Sequence, residues 1–172
     1  MIIGLISDTH LSGAVLPGAV HQAFQGVDMI LHAGDLVAPG VVDVLADIAP
    51  VTAVHGNMDV PAARVALPDR TVVEAAGKRI GLIHGHGVPQ PERVLREPLD
   101  FEALHRYLWD QFEKDAPDCI VYGHTHHAHI AAFRGVLMVN PGSATRGHAG
   151  HLSVGRLTIE GGQLSAEIVP LV

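Results

Sequence analysis

The sequence predicts an α/β fold of two mixed β-sheets flanked by helices, formed as one domain over residues 1–172. Three observations predict it. Short apolar, β-branched runs alternate with amphipathic stretches through the first half. The tail is dense in strand patterns joined by Arg134-Gly135 and Gly161-Gly162 turns. Five of the apolar runs end abruptly in polar clusters, as strands do where an open α/β sheet presents a site.

The first run, Ile2-Ile3-Gly4-Leu5-Ile6, is a strand. A loop of small residues then leads through Pro17 into a helix near Gly18 to Gln25. Strand Asp28 to His32 follows. Ala38-Pro39 opens a helix through Asp47, with Val41, Val42, Leu45 and Ile48 on its apolar face. Strand Val51 to His55 completes a βαβαβ pattern, which implies a parallel sheet with right-handed crossovers. Strands Thr71 to Ala76 and Arg79 to His84 form a hairpin about a tight turn at Gly77-Lys78. Residues Gly87 to Pro98 read as an irregular proline-containing loop. Asp100 caps a helix that runs to about Asp115. On it, Phe101, Leu104, Leu108 and Phe112 form a stripe that packs on a sheet. Tyr107 and Trp109 point elsewhere, toward a dimer contact or a pocket wall. Strand Cys119 to Tyr122 is followed by Ile130 to Phe133, Val136 to Asn140, Leu152 to Ile159 and Gln163 to Val169.

Composition narrows the function. Hydrophobic residues are 48% and charged residues 17%, which suits a well-buried globular chain and excludes a disordered one. The formal charge is −7 and the Arg and Lys residues never form a run, so no extended nucleic-acid footprint is expected. No apolar run approaches the ~20 residues of a membrane span. The N-terminal run carries no basic flank and reads as a strand, not a signal peptide. Cys119 is the only cysteine, so no intrachain disulfide can form, and a cytoplasmic location is expected.

The five clusters are Asp8-Thr9-His10, Gly34-Asp35, Gly56-Asn57, His84-Gly85-His86 and Gly123-His124-Thr125-His126. Singly, Asp8 and Asp35 could cap the following helices, Asn57 could be a turn residue, and each His could be a satisfied loop residue. Jointly they point to metal. Carboxylate, amide and imidazole donors suit Mn, Fe, Zn, Co or Ni better than Ca or a thiolate-selected ion. Seven such groups exceed one tetrahedral site, whereas two ions sharing a bridging carboxylate would use them all. Metal pairs of this kind clamp an in-line displacement at phosphorus and acidify a water toward hydroxide.

The ordered set of motifs resembles the calcineurin-like metallophosphoesterase superfamily, and within it the small bacterial and archaeal phosphodiesterase group. The resemblance covers nearly the whole chain and includes Asn140-Pro141-Gly142-Ser143. It implies a four-layer αββα sandwich with the site at the strand ends. It further implies that Asp8, His10 and His126 hold a first metal, that Asn57, His84 and His124 hold a second, and that Asp35 bridges them. Two divalent ions are expected, manganese first, with zinc, iron or nickel as alternatives. The implied substrate is a small phosphodiester or other phosphate ester, attacked by a metal-bridging hydroxide. A homo-oligomer, dimer or tetramer, is expected.

One motif departs from the superfamily. Many members have His after the Gly-Asn pair, in a role near the leaving group. Here the residue is Met58, which can neither transfer a proton nor donate a hydrogen bond. His86 is one candidate substitute; Asp59 is another, holding a water or orienting a ligand, with a structural pairing as its alternative; and a reaction without a general acid is the third option. Arg146 and Asn57, with His86, are candidate contacts for the phosphate. A catalytically silent interaction scaffold on the same fold is the alternative function. The motif of metallo-lactamase-like hydrolases and the Walker, Rossmann and nucleophile-elbow signatures are absent.

Overall fold

The computed structural model describes residues 1–13 and 15–172; Ala14, in the predicted small-residue loop, lies outside the described residues. The first sheet contains β1 (Ile2–Ile6), β2 (Met29–His32), β3 (Val51–Ala53), β9 (Ser153–Glu160) and β10 (Gln163–Pro170), in the order β10-β9-β1-β2-β3. β1, β2 and β3 are parallel, as the βαβαβ pattern requires, whereas β9 and β10 join antiparallel. The second sheet contains β4 (Arg70–Ala75), β5 (Lys78–Ile83), β6 (Cys119–Val121), β7 (Ala128–Phe133) and β8 (Val136–Pro141), in the order β4-β5-β6-β8-β7. Its inner strands β5, β6 and β8 are parallel, and both edge strands are antiparallel.

Three apolar layers hold these sheets together. Ile3, Leu5, Leu31, Ile80, Leu82, Val121 and Leu157 interlock between the sheets. Helices α1 (Gly18–Ala23) and α2 (Gly40–Ala46) cover the far face of the first sheet through Val20, Phe24, Val41 and Leu45. The second sheet's outer face takes Leu104, Leu108 and Phe112 of α5 (Phe101–Phe112). The result is the αββα sandwich of two mixed sheets flanked by helices. Glycine permits two of the closest layer contacts. A Cβ on Gly4 would stand 3.0 Å from the Phe24 ring, and one on Gly81 would stand 3.0 Å from the Phe112 ring. Between α2 and α5 the chain also forms α3 (Pro61–Ala66) and a single turn, α4 (Pro91–Val94).

Asp100 caps α5 as expected, its Oδ1 accepting the Ala103 N–H at 3.0 Å. Regular helix ends at Phe112, and Glu113–Asp115 continue as a 3-10 turn. The hairpin prediction is off by one residue: the turn is Ala76-Gly77, with φ of 47° and 77°, and Lys78 is already paired opposite Ala75. Of the two helix aromatics pointing away from the stripe, Tyr107 forms part of a pocket wall with Val88, Pro89 and Arg93, one of the two roles expected, and Trp109 finds a cation partner inside the chain. The Arg134 guanidinium lies 4.5 Å from the Trp109 ring centroid, and Tyr107 places its hydroxyl over Gly87. Cys119 is buried and free. Among the described residues no helix is long and apolar enough to cross a membrane.

Candidate metal centre

All five polar clusters lie just beyond the ends of β1, β2, β3, β5 and β6, on one edge of the sandwich. The two sheets converge there, which brings residues more than 100 positions apart into contact. His10 Nε2 lies 3.1 Å from His126 Nε2, 3.8 Å from Asp8 Oδ1 and 3.7 Å from Asp35 Oδ2. Asp8 Oδ1 is 3.3 Å from His126 Nε2, and Asp35 Oδ2 is 3.4 Å from His84 Nε2. The His124 ring centroid stands 5.1 Å from that of His84. Two overlapping donor groups result: Asp8, His10 and His126, and Asp8, Asp35 and His84.

The local backbone is bent to achieve this. Asp8, His10, Asp35, His124 and His126 all have positive φ, between 44° and 69°. Asp and His tolerate this region better than branched residues, and such conformations collect where surrounding structure over-determines a functional geometry. Glycines in the motifs answer a second demand, closeness. A Cβ on Gly56 would come within 2.8 Å of Asp35 Cγ, and one on Gly123 within 2.7 Å of Asp8 Oδ2. A Cβ on Gly34 would come within 2.8 Å of His84 Nδ1. The glycine preceding Asn57, the one preceding His124 and the one preceding Asp35 each leave room for a different site residue.

Outer contacts orient the donors. His84 Nδ1 donates to Ala33 O at 2.7 Å and His126 Nδ1 donates to Arg146 O at 2.7 Å, so each ring turns Nε2 into the pocket. Asp8 Oδ2 accepts from Ser7 Oγ at 2.6 Å and from His124 N at 3.0 Å, leaving Oδ1 as its free oxygen. Ser143 Oγ donates to Asp8 O at 2.6 Å, and Asn140 Nδ2 donates to Gly123 O at 2.9 Å, so the Asn-Pro-Gly-Ser turn ties the β1 and β6 loops together.

The donor set fits divalent metal ions. Asp8 Oδ1, Asn57 Oδ1 and His84 Nε2 are buried and have no hydrogen-bond partner among the described residues. Unpaired buried polar atoms are costly, and bound cations would satisfy them. Electrostatics agree. Burial opposes ionisation of Asp35, yet His84 beside it and the Met58 N–H hold its carboxyl down at about 2. Burial likewise disfavours charge on Asp8, and His126, His84 and Ser7 outweigh it. Burial lowers His10, and it lowers His124 to about 4. His84 goes up despite burial because Asp35 and Asp8 face it, and His126 goes up through Asp8. Ionised carboxylates among imidazoles form a site that attracts cations.

The other predicted residues fall into place differently. Asp59 is 2% exposed, and its carboxylate is wholly engaged by backbone: Oδ2 accepts from Gly56 N at 2.7 Å and Asp35 N at 3.1 Å, and Oδ1 from Val37 N at 2.6 Å. It sits behind the donors and fixes the loops bearing Asp35 and Asn57. Met58 exposes its side chain and donates its backbone N–H to Asp35 Oδ1 at 2.8 Å. His86 is half-buried, its ring centroid 5.5 Å from His84 and 6.3 Å from His55, with Nδ1 unpartnered among the described residues. Arg146 is exposed at the rim, on the side of His10. Three contributors escaped the sequence reading. His32 is buried and neutral: its Nδ1 accepts from Gly34 N, its Nε2 donates to Thr9 Oγ1, and burial lowers its pKa to about 4. Arg64 of α3 donates to Asp59 O at 2.9 Å and to Asn57 O, clasping the β3 loop. Ser7 holds Asp8. A His at a strand end was the only signal for His32, and nothing local marked the other two.

Fold and donor set together define a two-sheet sandwich whose strand-end edge is chemically suited to divalent cations. The family model of the calcineurin-like phosphoesterase superfamily domain matches residues 1–162, and the chain belongs to that superfamily. A probable metallophosphoesterase of Methanothermobacter thermautotrophicus is 38% identical over 171 residues, covering 98% of this chain and 92% of the relative. Among solved structures, zinc-complexed wild-type Vps29 from Entamoeba histolytica superposes with a TM-score of 0.72 at 26% identity, covering 100% of both chains. A structure described as a novel archaeal phosphodiesterase shares the fold, with a TM-score of 0.73 at 23% identity over 98% of this chain and 100% of that one.

Proposed function

We propose that the chain is a binuclear metal-dependent phosphodiesterase. Asp8, His10 and His126 hold one divalent ion, Asn57, His84 and His124 hold the other, and Asp35 bridges the two. The observation that carries this reading is the convergence of Asp8, Asp35, His10, His84 and His126, with Asp8 Oδ1 and His84 Nε2 buried and unpartnered among the described residues, as Asn57 Oδ1 on the β3 loop also is. Ions held there would supply positive charge against the phosphoryl oxygens and would acidify water at neutral pH. Manganese is the first choice, because the donors are oxygen and imidazole without thiolate.

The chain's own residues orient the donors and receive the ester. Asp59, through the Gly56, Asp35 and Val37 amides, is a positioning residue for the bridging carboxylate. Arg146 stands at the rim, where a guanidinium can pair with a non-bridging phosphate oxygen. Asn57 touches both ion and phosphate. His86 is the remaining side chain that could meet the leaving group, because the Met58 thioether has no proton to give. With so little acid assistance, the enzyme favours diesters with acidic leaving groups, such as aryl phosphodiesters.

The likeness to Vps29 favours a second reading, an interaction scaffold without turnover. Full occupation of all seven donor positions supports the enzyme instead. The test is hydrolysis of bis(4-nitrophenyl) phosphate and 4-nitrophenyl phosphate by manganese-reconstituted protein. Faster release from the diester is expected. Equal or greater release from the monoester overturns the diesterase assignment, and no turnover of either supports the scaffold.

A further inference from the structure

A second cluster of ligating side chains lies outside the pocket. Glu97 comes from the loop before α5, His127 from the loop between β6 and β7, and His148 from the turn between β8 and β9. His127 Nε2 is 2.7 Å from Glu97 Oε1, and His148 Nδ1 is 3.7 Å from the same oxygen. The two imidazoles stack with centroids 3.6 Å apart and planes 28° from parallel. Only the His127 contact is a hydrogen bond; the His148 nitrogen faces the carboxylate from beyond bonding distance. One cation would satisfy all three groups at once.

We propose that Glu97, His127 and His148 form a third divalent-cation site, distinct from the two positions in the pocket. Two imidazoles and one carboxylate make a His2Glu donor set, which suits zinc, nickel, cobalt or copper and disfavours magnesium and calcium. Glu97 and His148 are exposed, so water completes the coordination. His127 directly follows His126, and the His148 N–H donates to His126 O at 3.1 Å. A cation here therefore staples the proline-containing segment of residues 87–98, which holds α4 where an irregular loop was expected, to the segment carrying a pocket histidine.

The test is calorimetric titration of zinc into the metal-free full chain, alongside Glu97→Gln and His148→Ala. Both substitutions are on the surface and leave the pocket donors untouched. Wild type is expected to bind one equivalent more than either variant, or to bind its weakest equivalent at least about tenfold more tightly. Hydrogen exchange over residues 87–98 should slow on zinc addition in wild type and stay unchanged in both variants. The readout is the difference between wild type and variants, so it holds whatever number of ions the pocket takes. Equal stoichiometry with equal affinities in all three proteins overturns the proposal.

Discussion

Replacing Asp59 by alanine tests how the pocket is held. Its carboxylate receives three backbone N–H groups, at 2.6, 2.7 and 3.1 Å, in a position only 2% exposed. A hydrogen bond to a charged acceptor contributes about 1.5–3 kcal/mol net, so three could reach well above 5 kcal/mol. Two effects reduce this. Water entering the space left behind re-engages some of the amides, and the cost of burying a carboxylate disappears. The expected loss is about 3–5 kcal/mol, or roughly 6–20 °C in melting temperature for a chain of this length. Asparagine should do about half the damage, because its one carbonyl oxygen can serve one side while its NH2 opposes the N–H donors on the other. Urea unfolding of the metal-free protein measures the stability, and manganese titration measures the pocket. Weaker manganese binding is expected in both variants, since the Asp35 and Gly56 amides lose their anchor. An alanine variant within about 1 kcal/mol of wild type would refute the positioning argument.

Other perturbations reach different parts of the account. Asp35→Ala should abolish hydrolysis and weaken both bound ions; a variant still holding two tight ions by calorimetry contradicts the bridge. Gly123→Ala drives a Cβ onto Ser7 and Asp8, so metal affinity should fall at least about tenfold, and unaltered affinity contradicts the close-approach explanation. His32 and His105 are buried neutral, with pKa values lowered to about 4, the first mainly by burial and the second by burial and by His129. Their contribution to stability is complete above the unfolded value of about 6.5 and is lost as pH falls from there toward 4. The His105 share is on the order of 2 kcal/mol, and His105→Gln should flatten the slope of stability against pH across that window. An unchanged slope rules that out. His84 and His126, raised above their ordinary value, must lose their protons to bind metal, so manganese affinity should weaken as pH falls through neutrality. Affinity that is flat from pH 8 to pH 5 denies them a ligand role.

The strands were legible because parallel strands buried on both faces leave continuous apolar runs, and Ile2–Ile6 and Cys119–Val121 are such runs. The clusters were legible because seven donor groups each follow a run. Helix α3 was not. Its six residues, Pro61–Ala66, bury only Ala63 and carry no apolar stripe. The hairpin turn moved by one residue because Ala76 adopts a left-handed conformation that glycine would ordinarily supply. Asp59 stood open between a role in the reaction and a structural pairing, because the amides of the β2 and β3 loops that decide it for pairing come from separate strands. The demand for glycine at 56 and 123 was equally hidden, because the neighbours that forbid a Cβ there, Asp35 and Asp8, come from other strands.

Anomalous diffraction from crystals soaked in manganese tests the central claim most directly. Two manganese peaks should share Asp35 within the pocket, one bound also by Asp8, His10 and His126, the other by Asn57, His84 and His124. A pocket with a single peak or none at saturating manganese, or peaks bound by other side chains, would contradict it.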